Sequence, residues 1–206
     1  MNLLLVSGSQ RAGSQSKKVA QFLISHVLKT MNDEFISVES LDLIDTALPI
    51  WDGADKSLLN NPVWTQVKEK LVEADALILI TPEWSGMASP LIKNFMLICS
   101  EMETGHKPTL LTSISSGING AYPIAELRMN ATKNNKMLIV PDHLIIRDVE
   151  NVLNQSKVEN KRDFNIRARI NYSLHMLATY SRALQPVRIA HQNQSYPNQQ
   201  DYAYGM

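Results

Sequence analysis

Short runs of consecutive apolar residues alternate along the chain with longer segments in which apolar residues recur every three or four positions. Leu3–Val6 and Ala76–Ile80 are uninterrupted apolar runs, which are typical of strands buried on both faces of a parallel sheet. Between them, Val19, Leu23 and Val27 recur at helical spacing and predict an amphipathic helix over residues 15–31. The chain therefore begins as strand, loop and helix.

The same unit recurs through most of the sequence. Further strands are predicted at Ile36–Val38, Thr109–Ile114 and Met137–Val140, and further helices at Val63–Glu73, from Pro90, at Ile124–Ala131, and along Ile166, Ile170, Leu174 and Leu177 to a point before Pro186. Strands that alternate with helices in this way favour an α/β fold with right-handed crossovers. We expect a flavodoxin-like three-layer α/β/α sandwich whose five-stranded parallel sheet has the order 2-1-3-4-5.

The length of 206 residues suits one such domain, which we place at residues 1–186. Residues 187–206 form a polar C-terminal tail, because His191–Gln200 is rich in Asn and Gln and has no apolar periodicity. Two interpretations of the tail are open at this stage. It is either mobile, or it docks on a neighbouring subunit through Tyr196, Tyr202 and Tyr204.

Composition and charge indicate which classes of binding partner the protein has. The 20 basic and 20 acidic residues cancel and form no block of one sign, so we expect no nucleic-acid partner. No apolar run approaches the length of a membrane span, and the first residues lack the basic segment and cleavage site of a secretory signal. We therefore expect a cytoplasmic protein with a small-molecule ligand and no membrane partner.

Cys99 lies in an apolar run and is expected to be a buried, inert thiol. The five histidines lack metal-ligand spacing.

In open parallel sheets, ligands bind beyond the carboxyl ends of the strands, so the loops after the first, third and fourth strands are the candidate sites. The first is the Gly-Ser-rich segment 8–16, at the start of a helix, where free N–H groups and the helix dipole favour a phosphate. Ser9, Ser14 and Ser16 offer hydroxyl donors, and Arg11 offers charge. A serine-capped helix start without any ligand explains the same residues equally well.

The second loop is the segment 81–90, between the buried third strand and the helix that Pro90 opens. Gly86 permits a close approach of the backbone to a flat ring, and Trp84 and Met87 offer apolar surface beside it. Trp84 also has a plain interpretation as a packing residue. The third loop, Ser115–Gly120, combines small residues with two glycines and leaves room for a ligand.

Together these loops resemble the NADPH-dependent FMN reductase family, whose flavodoxin-like members carry Gly-Ser-x-Arg-x-x-Ser after strand one and a Pro-Glu-Tyr-Asn loop after strand three. The matching residues are Gly8, Ser9, Arg11, Ser14, Pro82, Glu83, Gly86, Pro90, Leu91, Lys93 and Asn94, and Leu48–Asp52 looks like the segment that follows strand two in that family. This chain departs from the family pattern at three places: Trp84 replaces Tyr, Ser85 replaces Asn, and Leu97 and Ile98 stand where many members have Asp-Trp.

The resemblance implies an FMN cofactor, with NADPH or NADH as the donor. It implies that the phosphate is held by Ser9, Arg11, Ser14, Gln15 and Ser16, that the isoalloxazine ring is lined by Pro82, Glu83, Trp84, Ser85 and Gly86, and that the other ring edge meets Ser115, Ser116 and Gly117. No catalytic side chain is expected, because flavin N5 carries the hydride chemistry. The resemblance further implies a homodimer or homotetramer.

The predicted function is transfer of reducing equivalents from NAD(P)H through FMN to a small acceptor, which could be free flavin, a quinone, an azo compound or a metal oxyanion. The main alternative is a non-enzymatic electron carrier or flavin-binding module on the same fold. Such carriers are usually strongly acidic and dock on basic partners, whereas this chain is neutral, which favours the enzyme. A chain that has kept the fold and lost the cofactor is a third interpretation.

Overall fold

The computed structural model describes residues 1–53, 58 and 60–203. The strands are β1 (Asn2–Ser7), β2 (Ser37–Asp42), β3 (Ala76–Trp84), β4 (Met87–Ala88), β5 (Pro108–Ile114) and β6 (Leu138–Ile146). The helices are α1 (Gln15–Thr30), α2 (Leu43–Thr46), α3 (Pro62–Glu73), α4 (Pro90–Ile98), α5 (Glu101–Thr104), α6 (Ala121–Asn130), α7 (Lys161–Ala183) and α8 (Gln185–Gln192). Val149–Asn151 and Gln199–Tyr202 are short 3₁₀ helices. Every helix in these described ranges is too short or too polar to span a bilayer.

Five strands are parallel and lie in the order β2-β1-β3-β5-β6, which confirms the predicted α/β, flavodoxin-like fold and its strand order. The sequence predicts five strands, whereas the described residues form a sheet of six. The two-residue strand β4 pairs antiparallel with the end of β3, where Glu83 lies opposite Ala88. The sequence predicts a loop from Thr81 onward, whereas β3 continues to Trp84.

The sheet is covered on both faces, because successive side chains of a strand point to opposite sides. Leu3 and Leu5 of β1 are buried under α1 and α7, in a cluster that includes Leu23 and Leu174. Their neighbours Leu4 and Val6 are buried in a second cluster, which the apolar faces of α3, α4 and α6 complete. The chain thus forms the three predicted layers, with one apolar core on each face of the sheet.

Local sequence explains where the helices on the second face begin. Pro62 lies in the first turn of α3, and the side chain of Asn61 accepts hydrogen bonds from the N–H groups of Val63 and Trp64 at 3.0 and 3.1 Å. Ser89 caps α4 in the same way, directly before Pro90. Proline suits this position because the first N–H groups of a helix have no intrahelical acceptor.

Strand β6 is longer than predicted. The sequence predicts a strand that ends at Val140, and the next residue, Pro141, cannot donate a hydrogen bond to a neighbouring strand. In the structure the strand continues to Ile146, and the register with β5 shifts between Thr109 and Leu111. A strand at the side of a sheet tolerates such a proline, because only one of its edges is paired.

The segment that the sequence left open as a tail packs on its own chain. After α7 ends at Ala183, Pro186 lies in the first turn of α8. The buried guanidinium of Arg188 donates to the carboxylate of Asp75 at 3.0 Å and to the carbonyl of Ser181 at 2.9 Å. Tyr204 lies outside the described residues, and the domain boundary at 186 stays a prediction.

Candidate functional site

The three candidate loops follow strands that end at one edge of the sheet. Ser7, the last residue of β1, lies opposite Ile80, and the next residue of β3, Thr81, lies opposite Ser113 near the end of β5. The loops that follow β1, β3 and β5 therefore leave the sheet side by side, as parallel pairing requires.

The first loop ends in a capped helix. The side chain of Ser14 accepts a hydrogen bond from the N–H of Lys17 at 3.1 Å, and the Ser9 hydroxyl oxygen accepts one from the N–H of Arg11 at 3.2 Å. The capped-helix interpretation is therefore correct for Ser14. It does not account for Ser16, whose hydroxyl is buried in the first turn without a hydrogen-bond partner, or for Gln15, whose side-chain oxygen is likewise buried and unpartnered among the described residues.

The two lysines of the first turn of α1 are engaged with other parts of the protein. Lys17 forms ion pairs with Asp45 at 2.7 Å and Asp42 at 3.3 Å, and its hydrogen bonds to these carboxylates raise its pKa. Lys18 donates to the carbonyls of Val149 and Val152, and burial lowers its pKa. Arg11 is thus the cation that the first loop itself contributes.

The second loop is a β-hairpin rather than an irregular loop. Ser85 and Gly86 connect β3 to β4 with φ angles of 49° and 77°. Two consecutive positive φ angles are typical of a type I′ turn, for which Asn-Gly is the preferred sequence. Glycine adopts such angles without strain, whereas serine does so at a cost. The hairpin places Pro82, Glu83 and Trp84 on the extension of a rigid central strand.

The first and second loops meet directly. The guanidinium carbon of Arg11 lies 4.1 Å from the ring centroid of Trp84, within the range of a cation–π interaction. The Trp84 ring N–H is buried and has no hydrogen-bond partner in the described part of the chain. Ser89 also joins the two loops, because its hydroxyl donates to the carbonyl of Gly8 and its N–H donates to the hydroxyl of Thr81 at 3.0 Å.

The third loop is fixed by the segment that follows β6. The N–H of Ser115 donates to the carbonyl of Ile146 at 3.0 Å, and the Ser116 hydroxyl lies 3.5 Å from the Glu150 carboxylate. The N–H of Gly117 donates to the Ser115 hydroxyl at 3.2 Å. Because Lys18 binds carbonyls of the same segment, the third loop is connected to the first turn of α1 through it.

Sequence reasoning missed two residues of α6 that contact the hairpin. Glu126 of α6 accepts a hydrogen bond from the N–H of Ala88 at 2.7 Å and forms an ion pair with Lys93 at 3.1 Å. The ring of Tyr122, on the same helix, lies beside Gly86, since a Cβ added there would come within 3.5 Å of it. No local pattern reveals this role, because the partners are 33 to 38 positions apart in the chain.

The segment after β2 is also tied to this region. Asn94 of α4 donates to the carbonyl of Pro49 at 2.9 Å and accepts from the N–H of Trp51 at 2.9 Å. A residue that matched the family pattern thus holds another matching segment in place. Elsewhere on α4, Leu97 is 56% exposed and Ile98 is 6% exposed, so only the first of these two departures changes the protein surface.

The single cysteine is buried, as predicted. Cys99 is 4% exposed at the end of α4, and burial raises the pKa of its thiol. A buried thiol with a raised pKa is a poor nucleophile, because the thiolate is the reactive form. The candidate chemistry of this protein therefore lies at the loop edge and not at Cys99.

Comparison with known proteins agrees with this placement. The model of the NADPH-dependent FMN reductase family matches residues 1–150. The FMN-dependent NADPH-azoreductase of Staphylococcus aureus is 28% identical over 175 residues, which is 82% of this chain and 90% of that protein. A solved oxidoreductase from Corynebacterium diphtheriae superposes with a TM-score of 0.67 at 16% identity, covering 87% of this chain and 96% of that one. A flavoenzyme NAD(P)H:(acceptor) oxidoreductase from Paracoccus denitrificans gives a TM-score of 0.66 at 15% identity, with 88% and 97% covered.

Proposed function

This chain belongs to the NADPH-dependent FMN reductase family, and is therefore an FMN-dependent oxidoreductase that uses NAD(P)H; from that premise we propose that FMN lies across the three loops and serves a small organic acceptor. The observation that carries the proposal is the contact between Arg11 and Trp84. It joins a cation suited to a phosphate with an aromatic surface suited to a flat ring, on neighbouring loops of one sheet edge.

The donors of the first loop fit the phosphate end of FMN. Ser16 has a buried hydroxyl without a partner among the described residues, at the start of a 16-residue helix, where the dipole favours an anion. Buried polar groups are normally hydrogen-bonded, so an orphan donor at this position calls for an acceptor. Phosphate oxygens would accept from Ser16, from Arg11 and from the hydroxyl of Ser9.

The hairpin fits the ring end. Trp84 presents an aromatic face and a ring N–H that has no partner in the part of the chain that the structure describes; this N–H would donate to a polar atom of the cofactor. Pro82, Glu83, Ser85 and Gly86 would line the ring by their backbone, and Ser115, Ser116 and Gly117 would approach its other edge. Bound FMN supplies the hydride chemistry at N5, so the protein's contribution is orientation and the polarity around the ring.

Among acceptors, we propose that an azo compound is reduced, since the Staphylococcus aureus relative is named an azoreductase. A quinone, free flavin and a metal oxyanion are the competing acceptors to compare. We also propose a homodimer or homotetramer, supported by large apolar side chains that are exposed on the hairpin, on α4, in the third loop and on α6. These are Met87, Leu97, Ile118, Tyr122 and Met129.

A visible spectrum before and after anaerobic addition of NADPH or NADH tests the proposal. We expect a yellow protein whose flavin absorbance bleaches with either donor and returns when an azo dye is added. A colourless protein that fails to bind FMN at micromolar concentration would overturn the cofactor site, and a flavin that stays oxidised with both donors would overturn the enzyme. Comparing turnover on an azo dye, a quinone, riboflavin and chromate then identifies the acceptor, and light scattering gives the oligomeric state.

A further inference from the structure

A second concave surface lies beside the third loop. It is a cavity of about 580 Å³, bounded by the third loop, the end of β6 and the first half of α7. Ser116 and Gly117 belong both to this cavity and to the proposed flavin edge, so the two sites share a wall. The volume falls within the usual range for small-molecule pockets.

Basic side chains outnumber acidic ones among the described residues that line the cavity, although the chain has no net charge. The lining carries three guanidinium groups, of Arg147, Arg162 and Arg169, against the single carboxylate of Asp148. Arginine binds phosphate through paired N–H groups in a planar fork, and it is the preferred residue for that purpose. The lining therefore suits an anion that carries phosphate.

Each guanidinium is held in place by a neighbour. Arg162 forms an ion pair with Asp148, and Arg169 forms one with Asp142. Arg147 donates through Nε to the carbonyl of Asn119 at 2.9 Å. Because a guanidinium carries five N–H donors, each of these contacts leaves donors that can reach a ligand. The carboxylates thus orient the arginines without consuming their capacity.

The rest of the lining is mostly apolar, with Asn165 as a polar member. Ile118, Ile145 and Ile166 line the cavity, and Ile118 is 84% exposed. An exposed isoleucine next to fixed guanidinium planes offers a surface on which a purine base can stack. A ligand that combines a purine with phosphate groups satisfies both parts of the lining.

We propose that this cavity binds the adenosine half of the NADPH donor, with the guanidinium groups of Arg147, Arg162 and Arg169 on its phosphates. The inference rests on the proposed function, because that function supplies the donor. The shared wall at Ser116 and Gly117 would let the nicotinamide half reach the flavin while the adenosine half stays in the cavity.

Binding of adenosine 2′,5′-bisphosphate to the FMN-loaded protein, measured by calorimetry, tests the site without any turnover. We expect the wild type to bind it, and Arg147→Gln and Arg169→Gln each to weaken binding at least about tenfold. Arg182→Gln is the matched control, because Arg182 lies on the same helix in an exposed ion pair with Glu34. We expect that control to bind as the wild type does.

Steady-state kinetics adds a second readout. The two cavity variants should raise the KM for NADPH at least about tenfold and leave the KM for reduced nicotinamide mononucleotide unchanged, since that donor lacks the adenosine half. Their affinity for FMN should also be unchanged. Absence of bisphosphate binding to the wild type, equal behaviour of the cavity variants and Arg182→Gln, or a parallel loss of FMN affinity would each overturn the proposal. If the wild type binds the bisphosphate but does not oxidise NADPH, the binding site in the cavity is supported and the proposed function is overturned.

Discussion

The guanidinium of Arg11 stacks on the indole ring of Trp84, with 4.1 Å between the guanidinium carbon and the ring centroid. The two residues belong to different loops, and Trp84 is the position at which this chain departs from the tyrosine of its family. The indole ring contacts the guanidinium, so Arg11 is positioned by Trp84 as well as by any anion that it binds. Replacing either residue therefore affects both ends of the proposed FMN site.

Arg11→Ala is expected to weaken FMN binding by about 1.5–3 kcal/mol, the range for hydrogen bonds to charged groups. Arg11→Lys should recover only part of the loss, because lysine keeps the charge but lacks the planar fork and its stacking. Titration of the apoprotein with FMN measures both affinities. Unchanged affinity in Arg11→Ala would remove Arg11 from the phosphate site, and Arg182→Ala serves as the surface control.

Ser16→Ala is expected to act in opposite directions on stability and binding. The variant removes a buried hydroxyl that has no partner within residues 1–53, 58 and 60–203, so the apoprotein should gain about 1 kcal/mol of unfolding free energy. FMN affinity should fall about tenfold, because a phosphate donor is lost. Urea unfolding of the apoprotein and FMN titration give the two values.

Ser181→Ala is the control for this variant. Its hydroxyl is equally buried but donates to the carbonyl of Leu177 at 2.7 Å, so its removal should lower stability and leave FMN affinity unchanged. If Ser16→Ala loses stability like the control and binds FMN normally, Ser16 has no role in binding.

Ser85→Asn is expected to stabilise the protein by about 0.5 kcal/mol, because asparagine tolerates the left-handed conformation that Ser85 adopts at a φ of 49°. Ser85→Val should destabilise it by about 1 kcal/mol or more, since a β-branched residue is strained there. Thermal or urea unfolding of both variants measures the pair. Equal stabilities would show that the turn does not adopt this conformation in solution.

Lys107 gives stability a pH dependence on the alkaline side. Its ammonium is buried and donates to the carbonyls of Leu71 and Val72, and burial lowers the pKa of Lys107 to about 8 from its ordinary 10.5. Above that pKa, the unfolded chain holds a proton that the folded protein has released, so the free energy of unfolding rises with pH. From pH 7 to pH 9 this group should add about 1 kcal/mol.

The contribution of Lys107 is measured as the difference between the wild type and Lys107→Met in urea unfolding at pH 7, 8 and 9. Taking the difference cancels the groups that titrate alike in both proteins. We expect the wild type to gain stability relative to the variant as the pH rises. A constant difference, or one that moves the other way, would contradict the assignment.

The parallel sheet could be predicted from sequence because its strands are short and apolar on both faces. Leu3–Val6 and Ala76–Ile80 are unbroken runs, and Pro90 marks the start of the helix that follows. The hairpin could not be predicted from the sequence, because its residues do not form a continuous apolar run. Glu83 and Trp84 extend β3 with residues of mixed polarity, and the turn uses serine where asparagine would signal it.

The end of the chain was harder to predict, because its attachment is polar. Arg188 is buried by its ion pair with Asp75, which lies 113 positions earlier, and no local periodicity encodes that contact. The sequence predicts the candidate phosphate loop through its serines and Arg11, and that assignment stays a prediction. The supporting Glu126 and the arginine-lined cavity could not be predicted, because each joins residues that only the folded topology brings together.

The two outer strands of the sheet have a consequence for the protein in a crowded solution. An outer strand with an uninterrupted row of N–H and C=O groups is a template for pairing with another chain. In β6, the exposed Pro141 removes one N–H from that row, and the register shift bends the strand nearby. In β2, the exposed Glu39 places a charge at the opposite margin. Both edge strands of the sheet thus carry a residue that disfavours pairing with another chain.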